Sequence, residues 1–457
     1  MDNETTTIGE NVRSRGHLLR VLGVVFGLAA VVGSVIGQGI LRSPGVVAEA
    51  TGSETLIVAL WIAGALLNCL LALGFAELGA AIPQAGGPFA FARRAFGPKT
   101  ALLVACIMFV ALYSSLAYLA FVVGEFLVRL GVGGGAIEPQ WFGIAALALF
   151  ALVNALGTRI SGASQVLLST VKGLVLIGLV IVLFASPGAT VEAGGEVLRG
   201  GWLPIGTALL VILTTYDGWW NVVMYGEEVK DPGRTIPRAL FGGILGVAVI
   251  YVLVNLAMLH VLTPEQMAGS TLVAADAAGA MFGEQADFAL TCFGVLSVGA
   301  ITNLMVMNYT RFTYAFARAG LLPAALATVS RNGTPIRAML LPVIAASVFI
   351  LTGSYSELVS LAQTVWLVVF ILVNAAVIAL RRREPDLPRP FRVPLYPVSI
   401  WAAQLVLVAL LVIFIAQDPW YSLAGFVLSA ALWAGYLLLA RASGEPHFGA
   451  IDAEDLQ

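Results

Sequence analysis

Apolar residues fall into twelve stretches along the chain, each near the ~20 residues that a helix needs to cross a bilayer. Their limits lie at about 20–49, 55–82, 100–131, 140–157, 161–186, 203–229, 238–262, 286–317, 337–353, 358–381, 398–416 and 419–441. The polar segments between them are lopsided in Lys and Arg. If the N-terminus is cytoplasmic, the inner segments hold 20 of the 24 basic residues, while the outer loops keep only Arg129 and Arg199. Basic residues stay on the cytoplasmic side of membranes, so the pattern predicts both termini inside. The mildly amphipathic stretch 263–283 is read as a short helix on the outer face.

Two of the twelve stretches are broken at their centres. The first is interrupted at Ser34-Val35-Ile36-Gly37-Gln38-Gly39, and the sixth at Thr215-Tyr216-Asp217-Gly218-Trp219. Inside hydrocarbon an unwound backbone is tolerated only where its N–H and C=O groups line a cavity or bind something polar. Such a pair of breaks therefore predicts a transport site. Five spans separate the breaks, and an odd number inverts the second copy relative to the first. The expected architecture is an all-α membrane protein built as a five-plus-five inverted repeat. One unit occupies 20–186 and the other 203–382, followed by two further helices at 398–441 and flanked by tails at 1–19 and 442–457. The halves show no sequence identity, so this repeat rests on break position alone.

Composition agrees with the pattern. Of 457 residues, 59% are hydrophobic and 11% charged, against about 25% charged in soluble domains, and the mean hydropathy is +0.94. A net charge of -2 offers no global attraction to nucleic acid. Cys69, Cys106 and Cys292 stand alone in apolar segments, and His17, His260 and His447 are scattered. Neither a disulfide, a metal site nor a cofactor is expected. No small-residue cleavage site follows the polar start, so the first helix is read as uncleaved.

The first break offers chemistry of two kinds. The N–H groups of Gly37, Gln38, Gly39 and Ile40 begin the second half-helix, whose positive end suits a carboxylate. Carbonyls from Val32 through Gly33, Val35 and Ile36 suit an ammonium group. The bland alternative is that these glycines serve close helix packing. At the second break the carbonyls of Tyr216, Asp217 and Gly218 would complete the ammonium site, with Trp219 as a wall. Asp217 is an acid at membrane depth, a functional position by default, or else a cap on the following half-helix. Arg42, one turn past the first break, either lines the outer path or caps carbonyls. Lys172 sits about eleven residues into the fifth stretch, too deep to reach either surface cheaply.

Four strings carry a family likeness: VVGSVIGQGILRSPG at 31–45, FAELGAAIPQAGGPFAFARRAFGP at 75–98, TYDGWWNVVMYGEEVKDPGRTIPRAL at 215–240 and RFTYAFARAGLLP at 311–323. In this order they make the chain resemble the amino acid-polyamine-organocation transporters, especially bacterial relatives of the L-type transporters and serine/threonine exchangers. The resemblance implies a leucine-transporter-like fold and alternating access. It matches Lys172 to a lysine that replaces a sodium ion between the first and eighth helices, with Thr302 and Asn303 as partners. Two departures stand out. Gln38 occupies the middle of a break that is usually Gly-Ser-Gly, and Thr214 replaces an aromatic gate, leaving Tyr216, Trp219 or Trp220 to act instead. Glu77, Glu227 and Glu228 would face Arg93, Arg94 or Arg311 in an inner gate, or form an ordinary solvated face.

The reading is a sodium-independent carrier of neutral α-amino acids in the cell membrane, working by exchange. Its partners are the amino acid and the bilayer, and no protein partner is indicated. The alternative within transport is a proton-coupled carrier of cationic amino acids or polyamines. A channel would need a symmetric ring of carbonyls or charges, and an intramembrane enzyme a pair of acids on one cavity. The sequence offers neither.

Overall fold

The computed structural model describes residues 20–37, 39–186, 202–268, 270, 273–282, 285–318, 320–330, 332–352, 355–417 and 419–442. Gln38 and both tails fall outside them, as do the side chains of Leu41 and Arg42. The described residues are helical, with two isolated β-bridges, Leu22 to Val229 and Ala85 to Tyr225.

The first apolar stretch forms α1 (Val24–Val35) and α2 (Gly39–Thr51). Helix α1 stops because Ile36 turns to extended backbone (φ -69°, ψ 102°) while its N–H closes the last turn onto the Val32 carbonyl. Helix α3 (Glu54–Ala81) starts at Ser53, whose side chain accepts from the Leu56 N–H, a standard N-cap. Proline opens α4 (Pro88–Phe96), α5 (Pro98–Arg129) and α6 (Pro139–Ala155), where its missing N–H costs nothing. Helix α7 (Thr158–Ala185) precedes α8 (Trp202–Thr215). The chain then turns through Gly218, whose φ of 112° favours glycine. It continues not as an α-helix to residue 229 but as a six-residue 3-10 helix, Trp219–Met224.

The second half holds α9 (Pro232–Val261), the short α10 (Pro264–Ala268) and α11 (Val273–Phe282), then α12 (Gln285–Arg318), α13 (Ile336–Thr352) and α14 (Tyr355–Arg383). The single outer helix expected at 263–283 is therefore two pieces, packed on α2 and α12. Helices α15 (Val398–Gln417) and α16 (Pro419–Ala442) finish the described chain. Among the described residues, eight helices are long and apolar enough to cross a membrane, and Val24–Val35, Pro139–Ala155 and Ile336–Leu351 are shorter apolar ones. The apolar part of α12 is 83% buried and that of α16 only 17%, so α12, packed on α5, marks the centre and α16 the rim. Helix α9 runs along α1 and α3, bringing the two breaks side by side.

Candidate functional site

Both interruptions open on one cavity of about 280 Å³. The first contributes Ser34, Val35, Gly37 and Gly39, and the second Thr214, Thr215, Asp217, Gly218, Trp220 and Asn221. Helix α5 adds Ser115 and Tyr118, α12 adds Ile301 and Tyr309, and α14 adds Gln363 and Trp366. None of these last six stood out in the sequence. Polar residues in spans signal function, but only packing decides which of them share a cavity.

The breaks also bond to each other. The Ser34 hydroxyl lies 2.7 Å from the Gly218 carbonyl and 2.7 Å from that of Ala30. Ser43 and Thr215 hydroxyls are 2.7 Å apart. From α9 the phenol of Tyr251 reaches Val35 O at 2.9 Å and Thr215 O at 3.3 Å. Gly218 must lack a side chain here, since a Cβ would meet the Ser34 carbonyl oxygen at 2.9 Å.

The carbonyls expected to receive an ammonium group are already engaged. Val32 O accepts from Ile36 N–H, Gly33 O from Lys172, Val35 O from Tyr251, and Ile36 O from Ser297 at 3.4 Å. Each keeps a second lone pair, but the acceptor that carries charge and borders the cavity is Asp217. Its carboxylate takes the Gly218 N–H. Gly218 rather than Asp217 holds the N-cap position of the 3-10 helix, while the Asp217 carboxylate satisfies the N–H of Gly218 itself.

Two gate candidates are turned away from the cavity. Tyr216 is fully buried between Trp61 and Tyr251, its hydroxyl donating to Trp61 O at 3.3 Å. Trp219 is fully buried with its indole N–H on Asn68 Oδ1 at 2.8 Å. The positive φ at Gly218 swings the chain so that Trp220, not Trp219, borders the cavity. Trp220 packs on Trp366 with ring centroids 4.2 Å apart.

Lys172 is buried completely, and its ammonium donates to Gly33 O at 2.8 Å. One turn away on α7, Ser169 donates to Ala29 O at 2.8 Å. A Cβ on Gly33 would run into Ser169 and Gln165, so this glycine also permits close approach of α1 to α7. The expected partners on α12 are bonded elsewhere. The Thr302 hydroxyl donates to Val298 O at 2.8 Å. Asn303 donates to Gln165 Oε1 at 3.3 Å and accepts from Asn154 at 3.0 Å.

Below the cavity, a layer of bonds closes the end of the molecule where α1 begins. Leu22 N–H donates to Glu228 O at 2.9 Å, and Lys230 N–H to Leu22 O at 2.7 Å. The Glu228 carboxylate is fully buried against Arg311, with Nε–Oε1 at 2.7 Å and Nη2–Oε2 at 3.0 Å. Glu227 pairs with Arg318 at 2.9 Å. Glu77 pairs with Arg381 and Arg389, and Arg94 with Glu384 at 2.8 Å. The acids thus form a pairing layer, with Arg311 as expected but with Arg381 in place of Arg93 or Arg94 for Glu77.

The amino acid permease family model matches residues 22–436. The serine/threonine exchanger SteT of Bacillus subtilis is 28% identical over 387 residues, covering 83% of this chain and 87% of its own. The b(0,+)-type amino acid transporter 1 of Mus musculus is 28% identical over 419 residues, with 88% and 84% covered. The large neutral amino acids transporter small subunit 2 of Oryctolagus cuniculus is 28% identical over 424 residues, with 85% and 76% covered.

Proposed function

This chain belongs to the amino acid permease family, and on that premise we propose that it exchanges neutral α-amino acids across the cell membrane without sodium. Its relatives are transporters and exchangers of amino acids rather than enzymes, so transport of an amino acid is the common ground. The observation that carries the finer reading is the convergence of both interruptions on one cavity. The substrate carboxylate binds at the Gly39 end of α2, where backbone donors and the helix dipole favour an anion. Its ammonium group goes to Asp217. With the α-ammonium paired there, the described residues that line the cavity leave no second acid for a charged side chain, which favours neutral substrates.

Lys172 supports independence from sodium. Its side-chain nitrogen already bonds Gly33 at the first break, and a positive charge there repels a second cation at the same place. The lysine ties α1 to α7.

Twelve spans in a five-plus-five repeat are supported by packing. Taking α1 with α2 as span 1, then α3, α5, α6 and α7 as 2–5, α8 with its 3-10 helix as 6, and α9, α12, α13 and α14 as 7–10, adding five to each index turns several contacts into contacts. Among the described residues, though, the close packing of span 1 on span 5 has no such counterpart between spans 6 and 10. Spans 1 and 7 answer to 6 and 2, 3 and 9 to 8 and 4, 3 and 10 to 8 and 5, and 2 and 10 to 7 and 5. The pairs 2–7, 3–8 and 4–9 answer to themselves. Two units related in this way rock about the site between them. The placement of basic residues favours cytoplasmic termini, which makes the closed end of the molecule the inner one and the cavity outward-facing.

One observation favours a second reading. A carboxylate bordering the cavity also suits a cationic amino acid or polyamine with proton coupling. Counterflow in proteoliposomes separates the two. We expect internal unlabelled amino acid to accelerate uptake of a labelled neutral one, equally in sodium and potassium media. Stimulation by sodium sinks the proposal, and better competition by decarboxylated amines than by their parent amino acids selects the second reading.

A further inference from the structure

Beside the main cavity lies a smaller one of about 40 Å³. Thr214, Asp217, Gln363 and Trp366 border both, so the two spaces adjoin along the second interruption and α14. The main cavity is ringed with hydroxyls and amides, among them Ser34, Ser115, Tyr118 and Asn221. The smaller one is not. Its walls run from Leu71 on α3 through Leu213 and Phe370 to Leu410 and Phe414 on α15. Among the described residues, Asn68 is its one polar residue beyond the shared ones, and both ends of that amide are engaged. Its Nδ2 donates to Gly64 O at 2.9 Å, and its Oδ1 accepts from the Trp219 indole at 2.8 Å. Thr214, at the junction, is small and donates its hydroxyl to Val211 O at 2.9 Å. Trp366 and Phe370 brace each other, with ring centroids 5.7 Å apart.

We infer that this smaller cavity receives the side chain of the transported amino acid, and that Thr214 at its junction and Leu410 on its far wall set the largest side chain admitted. The inference rests on the proposed pairing of the substrate ammonium with Asp217. That residue borders both spaces, so an α-carbon held beside it stands at the opening of the apolar one. A side chain without polar atoms binds better there than among hydroxyls, by about fourfold in affinity per buried methylene. One water needs about 10–15 Å³ of such room, so the smaller cavity holds about three groups of that size. The branched end of valine, leucine or isoleucine fits it, while a phenyl ring, about twice as large, does not. Helix α15 lies outside the proposed repeat, and Leu410 gives it a part in substrate choice that the rocking units do not require.

Binding is read by thermal shift of the detergent-solubilised full chain, titrated with alanine, leucine and phenylalanine. The unaltered protein is expected to bind leucine at least about tenfold more tightly than alanine, and phenylalanine less tightly than leucine. Thr214→Phe fills the junction and is expected to lower the ratio of leucine to alanine affinity at least about tenfold. Leu410→Ala empties the far wall without touching the main cavity. It is expected to raise the ratio of phenylalanine to leucine affinity at least about fivefold, a gain that a folding defect does not produce. If Thr214→Phe fails to insert, Leu410→Ala decides alone. Equal affinity for leucine and alanine in the unaltered protein, or a phenylalanine-to-leucine ratio unmoved by Leu410→Ala, overturns the inference and leaves the side chain in the main cavity. An unaltered protein that binds none of the three overturns the functional proposal and the subsite with it, whereas binding with ratios indifferent to both variants overturns the subsite alone.

Discussion

Lys172 meets the first half-helix at one oxygen, Gly33 O. A hydrogen bond to a charged donor contributes about 1.5–3 kcal/mol, and removing this one leaves a buried carbonyl short of a partner. Lys172→Ala is therefore expected to fold and insert but to slow exchange in proteoliposomes at least about tenfold, and Lys172→Met, which restores the bulk, should do no better. Recovery of exchange by Met would show that packing rather than the bond matters. The depth of this lysine was legible because a charge in an apolar span has few bland explanations. Its neighbours were less so. Thr302 and Asn303 are adjacent on α12 and point about 100° apart, so sequence position alone leaves open which of them faces which helix. Asn303 turns to Asn154 on α6 and to Gln165, which lies several residues along α7 from Lys172.

At the scale of elements, both interruptions could be read from glycine and polar residues inside apolar runs, but the course of the chain after the second could not. Asn221 binds the Gly218 carbonyl through its side chain at 2.8 Å and its N–H at 3.2 Å, an i to i+3 pattern that tightens the turn into a 3-10 helix. That half-turn of difference moves Trp219 into the core and Trp220 to the cavity. Gly39, the first residue of α2, faces the other break: a Cβ would meet Thr215 Cγ2 at 2.9 Å and Oγ1 at 3.2 Å. Gly39→Val should accordingly be made and inserted, while the thermal stabilisation of about 2.7 kcal/mol that a substrate at 100 times its Kd confers disappears. Retained stabilisation in that variant would return Gly39 to a packing role.

For the whole molecule, the closed end depends on a buried pair, Glu228 with Arg311. Breaking a buried pair by removing one charge costs about 3–5 kcal/mol, whereas replacing both by apolar residues is often neutral. Glu228→Gln should lower the thermal midpoint clearly, and Glu228→Leu combined with Arg311→Met should recover most of the loss. A double variant as unstable as the single one would argue that the layer stabilises through more than this pair. The acids and bases of this layer were visible in the sequence, but their burial was not, since ion pairs at helix ends are usually solvated. Their signs have a further consequence. A unit charge carried across the membrane field exchanges about 2.3 kcal/mol per 100 mV. Glu228 with Arg311, Glu227 with Arg318 and Arg94 with Glu384 are each neutral as a pair, and a zwitterion adds nothing. Wherever these three pairs move intact, they carry no net charge through the membrane field, and the voltage neither drives nor brakes their movement.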